Sequence, residues 1–283
     1  MRTSVIASLA AGTVAICIPL HAQDLSGASA KVDRGARASA SVLSDHHREA
    51  MKSMTAQQQT EFLLERSINR YRGANEEILT RAPGWLGAIQ ATPQLESLFR
   101  MAINSDDMRV REAAIEVNVS ARGLARSPAT IDRLEPAARS GAQGPRANAL
   151  WDIGLLGNRG IQPDRALEII RGSIHDPNEN VRYWAVEALA FLGTDGAIEP
   201  LLEIMHDDRS AMIRERAACG LAQSGMLNER QRRQAVPRLL EYTEDYSLDS
   251  ETRNWVFQAL RDITGQTLPP DPSTWRLWHQ QAR

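Results

Sequence analysis

The chain has 283 residues, 42% hydrophobic and 24% charged, which is the composition of a soluble globular protein. The formal net charge of −2 lacks the basic excess of a general nucleic-acid binder, so we expect no nucleic-acid partner. Aromatic residues make up only 5% while Ala and Leu are abundant, which favours helices over strands.

The N-terminal segment has the layout of a secretory signal peptide. Arg2 precedes a run without charges that ends at Leu20, and Leu20-His21-Ala22 resembles a small-residue cleavage site. A retained membrane anchor is the alternative, although the run is short and contains Pro19. We expect residues 1–22 to be removed, the protein to be periplasmic or secreted, and no membrane contact beyond the signal peptide.

Two segments lie between the signal peptide and the repeats. Residues 23–55, which include SGASAKVDRGARASAS, are mostly small and polar. We expect a flexible lead there, because such a segment buries too little apolar surface to offset the entropy cost of ordering it. Residues 56–91 place Leu63, Leu64 and Ile68 on one helical face and predict an N-terminal helical cap.

Residues 92–264 repeat one pattern. DPNENVRYWAVEALAFLG at 176–193 and DRSAMIRERAACGLAQSG at 208–225 both begin with Asp and end with Gly. Each unit pairs an apolar helix pattern with a second helix pattern that carries an Arg, and Asp176-Pro177 predicts the start of such a second helix. The arginines follow one another at spacings of 35, 36, 32 and 39 residues and are Arg111, Arg146, Arg182, Arg214 and Arg253.

A period in this range is typical of a helical solenoid, in which stacked hairpins cover each other's apolar faces. The two stretches quoted above resemble HEAT repeats of the short bacterial type, a group that includes the bilin-lyase-like HEAT repeats. The resemblance implies an all-α, right-handed solenoid of about five helix pairs with helical caps. It is specific for the fold and unspecific for function.

Residues 265–283 predict the C-terminal cap. Asp271-Pro272 has the residues of a helix start, and Trp275 and Trp278, three apart, lie on one helical face. A solenoid needs its terminal apolar face covered, and this helix is placed to cover it.

The repeated arginines have two interpretations. The resemblance implies that each Arg pairs with a turn Asp of an adjacent repeat, which makes Asp176 and Asp208 the partners in a structural ladder. Such pairing suits the planar guanidinium. An anion-binding stripe is the alternative.

The candidate binding face consists of residues on the second helices. Trp184 and Trp255 each follow their repeat Arg by two residues, and Trp151 and Glu187 follow theirs by five. Together with Tyr183 they predict a partner-binding patch on the concave side, since aromatic residues dominate interface energetics. The alternative is that the tryptophans only fill space between helices.

The sequence contains no Walker loop, no Gly-x-Ser-x-Gly and no His-Glu-x-x-His, so we expect no catalytic residue, metal or cofactor. His175 and His206 precede acids at equivalent points, but they more often end a helix than bind a metal. The predicted function is a non-enzymatic scaffold or adaptor that binds another protein. The alternatives are a bilin-lyase-like enzyme and a structural subunit of an envelope complex.

Overall fold

The computed structural model describes residues 41–282; the predicted signal peptide and the first part of the predicted lead lie outside this range. Within it the chain is helical, with one isolated bridge between Val42 and Arg72 and no strand. None of its helices is long and apolar enough to cross a bilayer. The helices are α1 (Asp45–Met51), α2 (Ala56–Ile68), α3 (Ala74–Arg81), α4 (Pro93–Ile103), α5 (Met108–Ala121), α6 (Pro128–Ala138), α7 (Gln143–Asn158), α8 (Pro163–Arg171), α9 (Glu179–Leu192), α10 (Ile198–Asp207), α11 (Ala211–Ala222), α12 (Glu229–Arg233), α13 (Val236–Thr243), α14 (Ser250–Thr264) and α15 (Pro272–Gln281), with 3-10 turns at Ala82–Trp85 and Asp195–Ala197.

The predicted all-α solenoid is confirmed. Its five helix pairs are α4–α5, α6–α7, α8–α9, α10–α11 and, as the fifth, α12 and α13 with α14. The first helix of the fifth pair is split after Arg233, because Pro237 has no N–H to donate to the Arg233 carbonyl.

The second helices form the inner side of the curve. Helix α7 contacts α9 along much of its length, and α9 and α14 both pack on α11. The first helices α6 and α8 contact each other over only a short stretch. From α7 to α14 the second helices pack closely while the first helices spread apart, so the stack curves with the second helices inside.

Glycine permits the closest of these contacts. A Cβ atom on Gly154 of α7 would lie 2.9 Å from the carbonyl oxygen of Ala188 in α9. On the other side of α9, the backbone N–H of Met226 donates to the carbonyl of Ala190 at 2.8 Å, directly after Gly225 at φ +72°. Helix α9 is therefore held at backbone distance by both neighbouring repeats.

The prediction of a flexible lead is wrong for residues 41–55. Helix α1 begins after Ser44, whose side chain accepts from the N–H of His47. Leu43 and Met51 are fully buried, and Arg48 pairs with Glu77 at 3.0 Å. The polar composition of the segment hid these two apolar anchors, which tie it to the N-terminal cap.

The helix start predicted at Asp176-Pro177 is also wrong. Helix α9 begins at Glu179, and the side chain of Asn178 is the N-cap, accepting from the N–H of Val181 at 3.2 Å. The Asp176 carboxylate accepts from the N–H of Asn178 at 2.8 Å instead. It thereby closes the turn and stays available to a neighbouring repeat.

Helices lie at both ends of the stack. Helices α2 and α3 pack on α4 and α5 as a further hairpin, and α15 packs on α13. Asp271 caps α15 as predicted, accepting from the N–H of Thr274 at 2.8 Å. Trp275 is fully buried and its Nε1 donates to the Pro269 carbonyl at 2.9 Å.

The variant Gly154→Ala tests the helix contact directly. The added Cβ forces α7 away from Ala188, and we expect a loss of about 1–3 kcal/mol in the free energy of unfolding. Gly144→Ala, in the same helix and with no atom within 4 Å of its added Cβ, is the control and should be neutral or stabilising by up to about 1 kcal/mol. Urea denaturation compares them; equal stability of both variants contradicts the packing described.

Candidate functional site

Three of the repeated arginines form a ladder. Arg182 and Asp208 make its most buried rung: Nε and Nη2 of Arg182 reach both carboxylate oxygens at 2.7 and 3.1 Å, and the two side chains are only 4% and 3% exposed. Its neighbouring rungs are Arg146–Asp176 at 3.1 Å and Arg214–Asp249 at 2.6 Å.

Each rung joins two turns. Nη1 of Arg182 donates to the Asp176 carbonyl of its own turn at 3.0 Å, while its other nitrogens reach Asp208 in the following turn. The Asp208 carboxylate also accepts from the backbone N–H of Ser210 at 2.8 Å, which holds it in position. The hydrogen bonds that Arg182 donates to Asp208 outweigh burial and raise the pKa of Arg182, so the guanidinium stays charged. The ladder sets the register of adjacent repeats.

The ladder prediction is wrong for Arg111 and Arg253. The position equivalent to Asp176, six residues before the next repeat Arg, is occupied by Ser140, so no carboxylate faces Arg111 there. No repeat follows Arg253, whose guanidinium lies 5.8 Å from the ring of Tyr246. The third acid, Asp249, was missed because it precedes its Arg by four residues instead of six.

The predicted aromatic residues come together in part. The rings of Trp151 and Trp184 meet edge-on with centroids 5.7 Å apart, and Tyr183 meets Trp184 at 5.6 Å. Trp151 is 9% exposed and its Nε1 donates to Asn118 at 3.3 Å, whereas Tyr183 and Trp184 are only partly buried. We call Trp151, Tyr183 and Trp184 the inner aromatic cluster.

Glu187 follows the same register with different chemistry. The residue five positions after one repeat Arg contacts the residue two positions after the next repeat Arg. In this way Trp151 contacts Trp184, and Glu187 contacts Arg216. The pair is bidentate, with Nη2 of Arg216 2.9 Å from Glu187 Oε2, and both residues are buried. Burial lowers the pKa of Arg216, but Glu187 outweighs it and the pKa lies above its usual value. Glu187 is therefore a buried ion-pair partner beside the cluster and not part of the exposed inner surface.

Trp255 is separate from the cluster. It lies on α14, at the position of the fifth helix pair that is equivalent to Arg216 in the fourth, and it is partly buried. No ring contact in the described range joins it to Trp151 or Trp184. The five predicted partner-binding residues thus share the inner helices but divide into one cluster, one ion pair and one isolated ring.

Buried polar residues of the early repeats have partners on neighbouring elements. Asp152 pairs with Arg122, whose Nη2 lies 3.0 Å from Oδ2. Glu116, five residues after Arg111, pairs with Arg159 at 2.7 Å. Each of these acids has its basic partner on a neighbouring element. The signal for these pairs in the sequence was the presence of charged residues at repeat positions that are otherwise apolar.

A second polar site lies on the outer face between α10 and α13. His206 Nε2 is 2.9 Å from Asp245 and Nδ1 is 2.5 Å from Asp207, at a cleft of 470 Å³. Burial lowers the pKa of His206, but its hydrogen bonds to Asp245 and Asp207 outweigh burial and leave the pKa raised. His175 pairs separately with Glu203 at 2.8 Å, and no three metal-type ligands of residues 41–282 converge on one point.

Comparisons with known proteins agree with the repeat geometry. Residues 131–222, from α6 to the end of α11, match the family model for HEAT repeats. This stretch of the chain is similar to HEAT repeats. No curated protein matches it. Among solved structures it is similar to the crystal structure of an engineered protein, a structural genomics target, with 15% identity, 73% of this chain and 96% of that chain covered, and a TM-score of 0.37.

Arg182→Ala tests the ladder between adjacent repeats. It leaves the Asp208 carboxylate buried without a partner, and we expect a loss of roughly 3–5 kcal/mol in unfolding free energy. Arg253→Ala is the control: no carboxylate faces it, and the change should stay within about 0.5 kcal/mol. A double-mutant cycle with Asp208→Ala should give a coupling of about 1–3 kcal/mol; no coupling would remove the ladder's structural role.

His206→Gln tests the outer site by its pH dependence. The folded-state pKa of His206 is raised above the unfolded value of about 6.5. Its ion pairs therefore stabilise fully below that value, and this stabilisation is lost as the pH rises through the folded-state pKa. We expect the variant to be destabilised more at about pH 5.5 than at about pH 8.5.

Thermal or urea unfolding across that range measures the effect, and Asp245→Asn, which removes the carboxylate that Nε2 of His206 contacts, should weaken the same pH dependence. A penalty for His206→Gln that is constant with pH contradicts the assignment.

Proposed function

We propose that this HEAT-repeat protein is a non-enzymatic scaffold that binds another protein on the inner face of its solenoid. The observation that carries the proposal is the inner aromatic cluster. Its outer members, Tyr183 and Trp184, are partly exposed on a helix whose other side is buried core.

The cluster has the properties of a binding hot spot. Trp151 supports Trp184 edge-on, and Phe191 supports Trp151 at 5.2 Å, so the exposed rings rest on a fixed base. Rigid aromatic side chains lose little entropy on binding, and they form the most energetic contacts of protein interfaces. The partner that suits this surface is a protein segment that packs an apolar side chain against the perpendicular rings of Tyr183 and Trp184.

The other predicted residues lie apart from the exposed rings. Glu187 and Arg216 are buried and satisfy each other, so they leave no unpaired charge beside the cluster. Trp255, on the inner helix α14, is partly exposed and separate from the cluster.

We further propose that the protein acts after export, in a periplasm or outside the cell, which rests on the charge-free segment that ends at Leu20. The bilin-lyase-like and envelope-subunit alternatives stay predictions, and no contact of the described residues favours either of them.

Replacing Trp184 and Trp255 together tests the binding face. A C-terminally tagged double variant should lose the partner that the wild-type protein retains on affinity purification, with a helical circular-dichroism spectrum unchanged. Because Trp184 belongs to the cluster and Trp255 does not, Trp184→Ala alone should weaken a purified complex at least roughly 30-fold, and Trp255→Ala less.

Tyr246→Ala is the matched control, since this aromatic residue is 89% exposed and lies outside the cluster. It should bind as the wild type does. A partner that the folded Trp184/Trp255 variant still binds at the wild-type level contradicts the inner face as the binding surface.

N-terminal sequencing of the protein recovered from its native cells tests export. Cleavage after Ala22 predicts that the mature chain begins at Gln23 and is found outside the cytoplasm. A chain that retains residues 1–22 contradicts the cleaved signal peptide.

A further inference from the structure

Arg111 is a buried arginine for which the ladder offers no acid. The residue is only 5% exposed; its Nη1 donates to the Ser105 carbonyl at 2.7 Å, and its Nε has no hydrogen-bond partner. At the equivalent positions Arg146, Arg182 and Arg214, an aspartate near the start of the following second helix pairs with the guanidinium. A buried guanidinium without a hydrogen-bonded carboxylate is costly, so its surroundings must supply another form of compensation.

Arg111 opens onto a cleft where the two ends of the repeat stack meet. The curve of the solenoid brings Asp106 and Arg111, before and within α5, to the same 440 Å³ cleft as Gln223, Arg232 and Asp262 of the last two pairs. We call it the closure cleft. Its volume lies within the range of small-molecule sites, about 300–1,000 Å³.

The opposite wall of the closure cleft holds a second buried arginine without a carboxylate partner. Arg232 is 8% exposed and donates to backbone carbonyls only, those of Leu221, Gln223, Ser224 and Leu227. Burial, together with the nearby charge of Arg111, lowers the pKa of Arg232 to about 10. Two cations therefore face one cleft and repel each other.

The acids around the closure cleft are engaged elsewhere. Both oxygens of Asp106 accept from Arg70, at 2.7 and 2.9 Å. Asp262 accepts from the amide groups of Gln223 and Gln258 at 2.7 and 2.9 Å. The remaining rim acid, Glu229, pairs with Arg233 at 2.9 Å, so Arg111 and Arg232 keep two positive charges without a hydrogen-bonded counter-ion.

We propose that the closure cleft binds a phosphate-class oxyanion, with Arg111 as the principal donor and Arg232 as the second positive charge. A guanidinium presents its N–H groups in a fork that matches the oxygens of such an anion. A dianion in the closure cleft neutralises both cations, which line it from opposite ends of the repeat stack. The anion joins the first and fifth helix pairs, so it stabilises the curved form of the solenoid.

The test is a titration of the full-length mature protein with inorganic phosphate at constant ionic strength, followed by isothermal calorimetry and by thermal unfolding. We expect saturable binding and a rise in Tm with phosphate, both absent with chloride. Arg111→Gln should weaken binding at least tenfold, and Arg111→Lys should bind with intermediate strength. Arg253→Gln, which changes the repeat arginine of the fifth pair, a residue that does not line the closure cleft, should bind as the wild type does.

Phenyl phosphate separates the two sources of the anion. Tighter binding of phenyl phosphate than of inorganic phosphate assigns the rest of the cleft to the organic part of a phosphorylated small molecule, and weaker binding assigns the site to the free ion.

Phosphate binding that does not saturate, or that is as strong to Arg111→Gln as to the wild type, overturns the proposal. If the Arg111 variants fail to fold, phosphate-induced shifts of wild-type backbone amides decide: they must fall on residues 105–111 and 223–233, and shifts elsewhere alone overturn the site.

Discussion

The missing side chain at Gly154 is the constraint on which the rest of the structure depends. It lets α7 lie against the backbone of α9 at Ala188, and the contact after Gly225 holds the next repeat equally close on the other side. With the inner helices at such distances and the outer helices spread apart, a stack of hairpins has to curve. The curvature forms the inner face and brings the two ends of the stack to one cleft.

Close packing of the inner helices also explains why polar residues occur in pairs. A charged side chain on a helix covered on both sides cannot reach bulk water, so it needs a partner on the neighbouring helix. Arg182 with Asp208, and Glu187 with Arg216, satisfy this need between successive repeats. Arg111 is the informative exception, because its buried charge has no carboxylate on the next repeat and faces a cleft instead.

The sequence predicted the fold well because the repeat period and its Arg positions are local patterns. The pairing of Arg182 with Asp208 could be foreseen through the resemblance to HEAT repeats, and the Asp271 cap of α15 could be foreseen from its local sequence. The isolation of Trp255 from Trp184 could not be foreseen. The two tryptophans occupy equivalent repeat positions, but the helix between them carries Arg216 at that position instead of an aromatic ring.

The closure cleft could not be predicted from the sequence for a different reason. Arg111 and Arg232 are 121 residues apart, and only the curvature of the solenoid brings them together. The helix at 45–51 was missed because two buried anchors, Leu43 and Met51, lie in a polar segment.

The curvature of the solenoid is the central claim, and a distance across the closure cleft tests it most directly. Spin labels attached through ketone-bearing amino acids at Met108 and Glu229, which both line the cleft, allow the distance to be measured by pulsed electron paramagnetic resonance without cysteine chemistry. The structure predicts a narrow distribution centred below about 20 Å, including the label arms. A straight stack would separate the first and fifth pairs by four helix spacings of 8–10 Å, roughly 32–40 Å before the labels are added. A distribution centred at or beyond that separation would contradict the curved solenoid, and with it both the inner face and the closure cleft.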